Sequence, residues 1–301
     1  MRTVTRHLVS LPLIAVVPWA VGQVLRDRWW LSGLCFYLPS PLLGAALLIA
    51  AAFAWRSQRK PLAAASLLAA LAPAAVTATL ENRWAEPPTA ATPANTYTLV
   101  HWNVFRGLLG WQSVQDELAE RPADIYVISE LPESIRSERV AVLGDGFSMI
   151  RDYKLGLACR GFVDGRSERP NSDLGLIYAV CQVGDQQLSV LAVDLPASLT
   201  TARRPGLETV NRWIQHYQPD LVAGDFNAPR RSGALTDLPS GYSHAYHRVG
   251  RGWSYTWPFP LPLWAIDHSL LGPRVQPLSY DLAGSRLSDH RIQTFRFALN
   301  D

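Results

Sequence analysis

The chain has 301 residues, 48% hydrophobic and only 18% charged, with 28 basic against 25 acidic side chains. That is apolar for a purely soluble protein, and the charge is too evenly balanced for one that grips long nucleic acid mainly by neutralising phosphates, a local patch aside. Three cysteines without a CxxC pair argue against a structural zinc site.

The apolar excess lies at the front. No Asp, Glu, Lys or Arg occurs from His7 to Leu25, from Trp29 to Trp55 or from Pro61 to Leu80. Each run approaches or exceeds the ~20 residues that a bilayer-spanning helix needs, and none shows the polar face of a buried core helix. The expectation is a membrane anchor over residues 1–80 with three transmembrane helices, at about 8–25, 29–55 and 61–80. A competing reading makes residues 1–22 a signal peptide, with Arg2 and Arg6 as its basic start and Leu8 to Ala20 as its apolar middle. Ala20, Val21 and Gly22 form a poor cleavage site, so three spans remain the expectation.

Lys and Arg counts set the orientation. Arg2, Arg6, Arg56, Arg59 and Lys60 lie on one side of the expected spans, against Arg26, Arg28 and Arg83 on the other. The richer side stays in the cytoplasm, which places everything after Leu80 outside it, on an integral protein of a bacterial inner or plasma membrane. Residues 81–96 contain EPPTAATPANT, whose prolines forbid a continuous helix, and they form a linker. Residues 97–301 suffice for one compact domain with a full core. Eight basic and three acidic residues fall in the first 86, which leaves 20 and 22 for the rest.

Strands are predicted at 97–103, 123–129, 155–160, 175–183, 186–194, 220–225, 265–271 and 291–299, with a Gly184-Asp185 hairpin turn joining the fourth and fifth. Trp111, Val114 and Leu118 keep helical spacing, as do Leu207, Val210, Ile214 and Tyr217 after Pro205. Strands and helices interleaved in this way predict a layered α/β domain with mixed sheets.

Polar residues close these strands. Asn103 ends the first, Glu130 follows IYVIS, Asp225 and Asn227 follow DLVAG, Asp267 interrupts AIDHSLL, and Asp289 and His290 precede the last. Carboxylates converging from buried strands repel one another and lose hydration, so their pKa values climb until a divalent cation removes the penalty. Oxygen ligands without cysteine favour magnesium, manganese or calcium. Asp225 and Asn227 stand two apart and are expected to face one site, with Gly224 allowing close backbone approach. GDFN taken alone is equally well a capped turn.

In order, LVHWNV, VISE, VAGDFNAP, TWP, AIDHSLL and SDHR resemble the endonuclease/exonuclease/phosphatase family of DNase I-like nucleases, abasic-site endonucleases, sphingomyelinases and inositol polyphosphate phosphatases. The whole looks like a membrane-anchored bacterial-type member. The resemblance covers residues 97–301 and implies a DNase I-like sandwich of two mixed β-sheets flanked by helices, hydrolysing a phosphate ester with Mg2+ or Mn2+. It assigns Glu130, Asp289 and Asn103 to the metal, Asn103 and Asn227 to the phosphate, and Asp225 and Asn227 to the attacking water. His290 would be partnered by Asp267, either as a base or to stabilise the transition state. The substrate is left open between nucleic acid, a phospholipid and a small phosphoester; the bilayer is the other partner, and no protein partner is predicted.

One position departs from the pattern. VLAVDLPAS places Asp194 where many family members keep a histidine or tyrosine donor, and an ionised carboxylate cannot donate. Three explanations stand: Asp194 is protonated, it binds a second cation, or the chain is an inactive tethered module that binds a phosphorylated ligand.

Arg203, Arg204, Arg230 and Arg231 flank the expected site, and Arg203 is a candidate substrate contact beside the plainer reading of solvated loop arginines. His268 is expected on the opposite strand face from Asp267, His101 on the face of Asn103, and His244 and His247 in solvent, with a metal pair there as the lesser reading. The alternation of Trp253, Tyr255 and Trp257 predicts a core strand, and Phe259 to Trp264 an aromatic loop suited to headgroups or substrate. Cys159 and Cys181 are left either to pair or to sit as buried thiols.

Overall fold

The N-terminal apolar runs fold as helices, though not as three equal spans. The computed structural model describes residues 2–87, 93, 95–135, 143, 146–171, 174–198 and 200–300, with side chains from Ser10 onward and excluding those of 163 and 169–171. Helix α1 covers Arg2–Leu25, α2 Trp30–Phe36, α3 Ser40–Arg56 and α4 Lys60–Ala75, which continues as a wider π-helical turn over Val76–Glu81.

Among the described residues one helix, Lys60–Glu81, is long and apolar enough to cross a membrane. The expected span at 29–55 is corrected to two helices, α2 and α3, bent by 57°. Pro39 causes the break, because it lacks an N–H and disfavours helical backbone at Leu38. The described part of the first run, Ser10–Leu25, is a shorter apolar helix. The sequence thus overcounted uninterrupted spans.

Contacts divide the chain into two units. One holds Met1–Trp84 with Ser198–Arg204 and Arg231–Gly233; the other holds Ala85–Ala197, Pro205–Arg230 and Ala234–Asp301. Linker residues 88–92 and 94 lie outside the described residues. In the first unit Trp19, Leu43, Leu47 and Ala70 pack together, and the Trp19 indole N–H donates to Ser40 Oγ at 3.3 Å. Leu48, Ile49, Phe53, Leu67, Leu68 and Leu71 stay exposed.

In the second unit the strands are β1 Tyr97–Asn103, β2 Ile125–Ser129, β3 Ser148–Asp152, β4 Leu155–Cys159, β5 Phe162–Asn171 and β6 Leu174–Val183, then β7 Gln186–Asp194, β8 Leu221–Asp225, β9 Ser243–His244, β10 Asp267–Leu271, β11 Val275–Ala283 and β12 Ile292–Leu299. They form two six-stranded sheets, ordered β11-β12-β1-β2-β4-β3 and β5-β6-β7-β8-β10-β9. Pairs β1/β2 and β7/β8 are parallel and the other pairs antiparallel, so the sheets are mixed as predicted.

Strand alternation builds the core between the sheets. Leu99, Val127, Leu157 and Phe295 from the first meet Ile177, Val190, Leu221 and Ala223 from the second, each of the larger side chains worth roughly 1.5–3 kcal/mol when fully buried. The outer faces are covered by helices. Val114 and Leu118 of α5 (Trp111–Ala119) pack on Val100, Trp102 and Ile128, and Leu207, Val210 and Ile214 of α6 (Arg204–Tyr217) pack on Leu191, Val193 and Val222. Burial on both faces is why IYVIS and LVAGD read as unbroken apolar runs.

Cys159 on β4 and Cys181 on β6 are joined in a disulfide, which links the two sheets and decides between the two readings of that pair. The predicted strand over 253–257 is corrected to an irregular segment whose one bridge is Trp257 to Trp264. The N–H groups of Thr256 and Trp257 both donate to the Trp264 carbonyl, so the segment folds back on the loop that follows it and joins no sheet.

Candidate active site

Parallel pairing brings strand ends together. Asn103 lies opposite Ser129, so Glu130 follows at the end of β2; Asp194 lies opposite Asp225, and Asp267 faces Asp225 from β10. Three carboxylates therefore form a row across β7, β8 and β10.

The GDFN stretch makes its turn by close packing. A Cβ on Gly224 would lie 1.9 Å from the Val193 carbonyl oxygen, so only glycine fits. The strand stops at Asp225, and Asn227 takes a left-handed φ of 47°. Its N–H donates to Asp225 Oδ1 at 2.8 Å, and its Nδ2 donates to the Leu195 carbonyl at 2.7 Å. Asp225 and Asn227 thus converge through a capped turn and not through the strand pleat that their spacing suggested.

Hydrogen bonds cross between the sheets here. Asn103 Nδ2 donates to Asp225 Oδ2 at 2.9 Å, while Asn103 Oδ1 accepts from the Phe105 N–H at 3.0 Å. His290 Nδ1 lies 2.9 Å from Asp267 Oδ2, and Nε2 lies 3.9 Å from Asp225 Oδ2. Ser288 fixes the backbone there, its hydroxyl donating to the Asn103 carbonyl at 2.6 Å and accepting from the His290 N–H at 3.0 Å. Trp257 Nε1 donates to Asp289 Oδ2 at 2.7 Å. Glu130 has a left-handed φ of 53°, and Arg106 Nε approaches its carboxylate at 3.7 Å.

The charges are unequal. Burial, then the neighbouring Asp267, raises the Asp225 carboxyl to about 7. Burial, then Asp225 and Glu130, pushes Asp194 well above the usual carboxylate range, with Lys154 pulling the other way. Burial raises Asp267 too, but the charge and hydrogen bond of His290 outweigh it and leave it low. Burial lowers His290, yet Asp267, Asp225 and Asp289 lift its imidazole to about 10. His101 is held down at about 4, burial outweighing Asp267.

This donor set fits a hard divalent cation. Its carboxylates crowd until two of them resist ionisation, and Asp289 Oδ1 is buried without a hydrogen-bond partner among the described residues. Ligand atoms of Asp225, Asp267 and His290 lie within 4.8 Å of one another, a different trio from Glu130, Asn103 and Asp289. In that trio His290 is already hydrogen-bonded to Asp267.

Other expectations separate cleanly. His268 is buried on the far face, its Nε2 donating to the Ala228 carbonyl at 2.8 Å. His247 is exposed as expected, but His244 is corrected from solvated to buried, with Nε2 2.9 Å from the Leu235 carbonyl. Arg230 is buried and lies 4.1 Å from the Tyr246 ring centroid, which makes it a packing cation. Arg203 groups with the N-terminal unit, 5.9 Å from the Tyr37 ring centroid. Sequence reasoning missed Arg106, Lys154, Ser129 and Ser288. Lys154 follows a strand without an apolar pattern, and the SDH triplet already held Ser288 in view.

A two-sheet α/β sandwich with acids at its strand ends and a histidine–aspartate pair beside them defines a class of phosphoester hydrolases. The chain belongs to the endonuclease/exonuclease/phosphatase family, whose model matches residues 100–290. Among solved structures it resembles D. rerio TDP2 complexed with single-strand DNA product, at 18% identity over 68% of this chain and 99% of that one, TM-score 0.56. The mannosyl-6-phosphatase Bt3783 of Bacteroides thetaiotaomicron is similar at 13% identity, 67% and 100% coverage and TM-score 0.55. The 3' phosphatase NExo from Neisseria, bound to product DNA hairpin, is similar at 19% identity, 67% and 99% coverage and TM-score 0.51. No curated protein matches the sequence.

Proposed function

We propose that the chain is a membrane-tethered, divalent-metal-dependent phosphoesterase. The observation that carries this reading is the meeting of the His290–Asp267 pair with Asp225, which Asn103 ties to the opposite sheet. Glu130, Asp289 and Asn103 would hold Mg2+ or Mn2+, which when bound neutralises charge on the phosphate. Asn103 and Asn227 bind phosphate oxygens. His290, with its raised pKa, is an imidazolium at neutral pH and stabilises the transition-state charge, so Asp225, poised near 7, receives the proton of the attacking water. Asp194, pushed up by its neighbours, carries a proton and donates to the substrate as the missing histidine or tyrosine would.

The exposed apolar faces of α3 and α4 support membrane anchoring, with Lys60–Glu81 as the best span. The disulfide supports an extracytoplasmic second unit. Purified full-length chain in detergent is expected to hydrolyse an activated aryl phosphodiester with magnesium or manganese. Chelator-insensitive turnover, or full activity in Asp225→Ala, would overturn the mechanism. A panel of single-stranded and duplex DNA, RNA, sphingomyelin, phosphoinositides and sugar phosphates then ranks substrates. Reporter fusions after Trp84 test the orientation, which a cytoplasmic readout would reverse.

The second reading, a binding module without turnover, draws on Asp194 alone. Metal-dependent binding of a phosphorylated ligand with no hydrolysis in any arm of the panel would favour it.

A further inference from the structure

His101 has no task in the chemistry above, yet it is wholly buried beside it. It lies on β1, two residues before Asn103 and on the same strand face. Its Nε2 is 3.3 Å from Ser129 Oγ on β2, and its Nδ1 is 3.9 Å from Asp267 Oδ1, the carboxylate oxygen that His290 leaves unused. Neither of those last two atoms has a hydrogen-bond partner among the described residues. Across the β1–β12 ladder His101 faces Gln293, whose Oε1 accepts from Ser269 while its Nε2 is likewise buried and unpartnered.

A neutral imidazole carries one N–H, and its neighbours choose which nitrogen holds it. The Ser129 hydroxyl can donate to Nε2. That leaves the proton on Nδ1, facing the Asp267 carboxylate; the opposite tautomer would set a bare nitrogen lone pair against it. A hydrogen bond of normal length needs an approach of about 1 Å, well within what such contacts make up when a substrate binds. His290 holds Oδ2 and the Thr256 side chain also reaches this carboxylate, so a donor on Oδ1 completes the set that fixes its plane and the imidazole it orients.

We propose that His101 is a positioning residue, whose Nδ1–H engages Asp267 Oδ1 and so reserves Oδ2 for His290, fixing the imidazole edge that faces Asp225. The kinetic consequence rests on the hydrolytic reading; the contact itself does not.

The test uses the full-length chain in detergent. With histidines labelled by 15N, the wild-type His101 ring is expected as the Nδ1–H tautomer, its proton shifted downfield; an Nε2–H tautomer overturns the proposal whether or not the protein turns over substrate. Three variants add the kinetic arm. His101→Asn keeps a donor near the Nδ1 position, His101→Gln reaches only toward Ser129, and His101→Leu keeps neither. The expected result is kcat close to wild type for His101→Asn and about 10- to 100-fold lower for the other two, with KM unchanged. Equal kcat for His101→Asn and His101→Leu, or full kcat in His101→Gln, overturns it. If the wild type fails to hydrolyse any phosphoester, the hydrolytic reading falls and the tautomer still decides the contact.

Discussion

The two sheets bring different chemistry to the same end of the sandwich. Strands β7, β8 and β10 of one sheet present three carboxylates in register, Asp194, Asp225 and Asp267. The other sheet answers from β1 and from the turn before β12 with the Asn103 amide and the His290 imidazole. Carboxylates that share one sheet raise each other's pKa, and the opposing donors decide which of them stays ionised: Asp267, bound to His290, is low, while Asp225 and Asp194 are high. A site built by one sheet alone would lose this division.

The largest expected effect comes from removing the donor side. His290→Ala should lower kcat by about 10²–10⁴-fold in a steady-state assay with magnesium. Removing charge from the carboxylate row instead, by Asp225→Asn, should cost about 10²–10³-fold in kcat and raise thermal stability above pH 7, where the wild type must ionise Asp225 beside Asp267. A stability gain seen equally below pH 4 would break the comparison.

His290 supplies the pH test of the same idea. Its folded pKa of about 10 exceeds the ordinary 6.5, so its contribution is fully present below about 6.5 and is lost as pH rises toward about 10. Metal-free unfolding midpoints should therefore fall across that window, and His290→Gln should flatten that part of the profile.

A covalent link ties the sheets at Cys159 and Cys181. Replacing both by serine opens a loop with a sequence separation of 22 and should cost about 3 kcal/mol by chemical denaturation, with kcat little changed. The smallest effect is expected from Trp257→Phe, which removes the indole donor to Asp289 and should weaken substrate or metal binding by about 1 kcal/mol in a titration.

The strands that reading the chain recovered and those it missed divide along a physical line. Strands β1, β2, β4, β6, β7, β8, β10 and β12 have neighbours on both sides and carry apolar residues for the core. The missed β3, β5, β9 and β11 are the four sheet edges. An edge strand meets solvent along one side and takes charges, prolines and irregular pairing, as at Pro277, where the register shifts. Trp253 to Trp257 alternate without joining a sheet, because the N–H groups of Thr256 and Trp257 are taken by the Trp264 carbonyl.

The order of residue types along the chain determined that acids and amides end apolar strands, and so which of them to gather: Asn103, Glu130, Asp225, Asn227, Asp267, Asp289 and His290 were all legible. Tertiary structure alone decided how they share protons and which silent residues support them. Periodicity reports the face a side chain takes but not the distance to a group from a strand far along the chain, and pKa values depend on that distance. Hence the high pKa of Asp194, the burial of His244 and Arg230, and the approach of His101 to the back of Asp267 follow from packing.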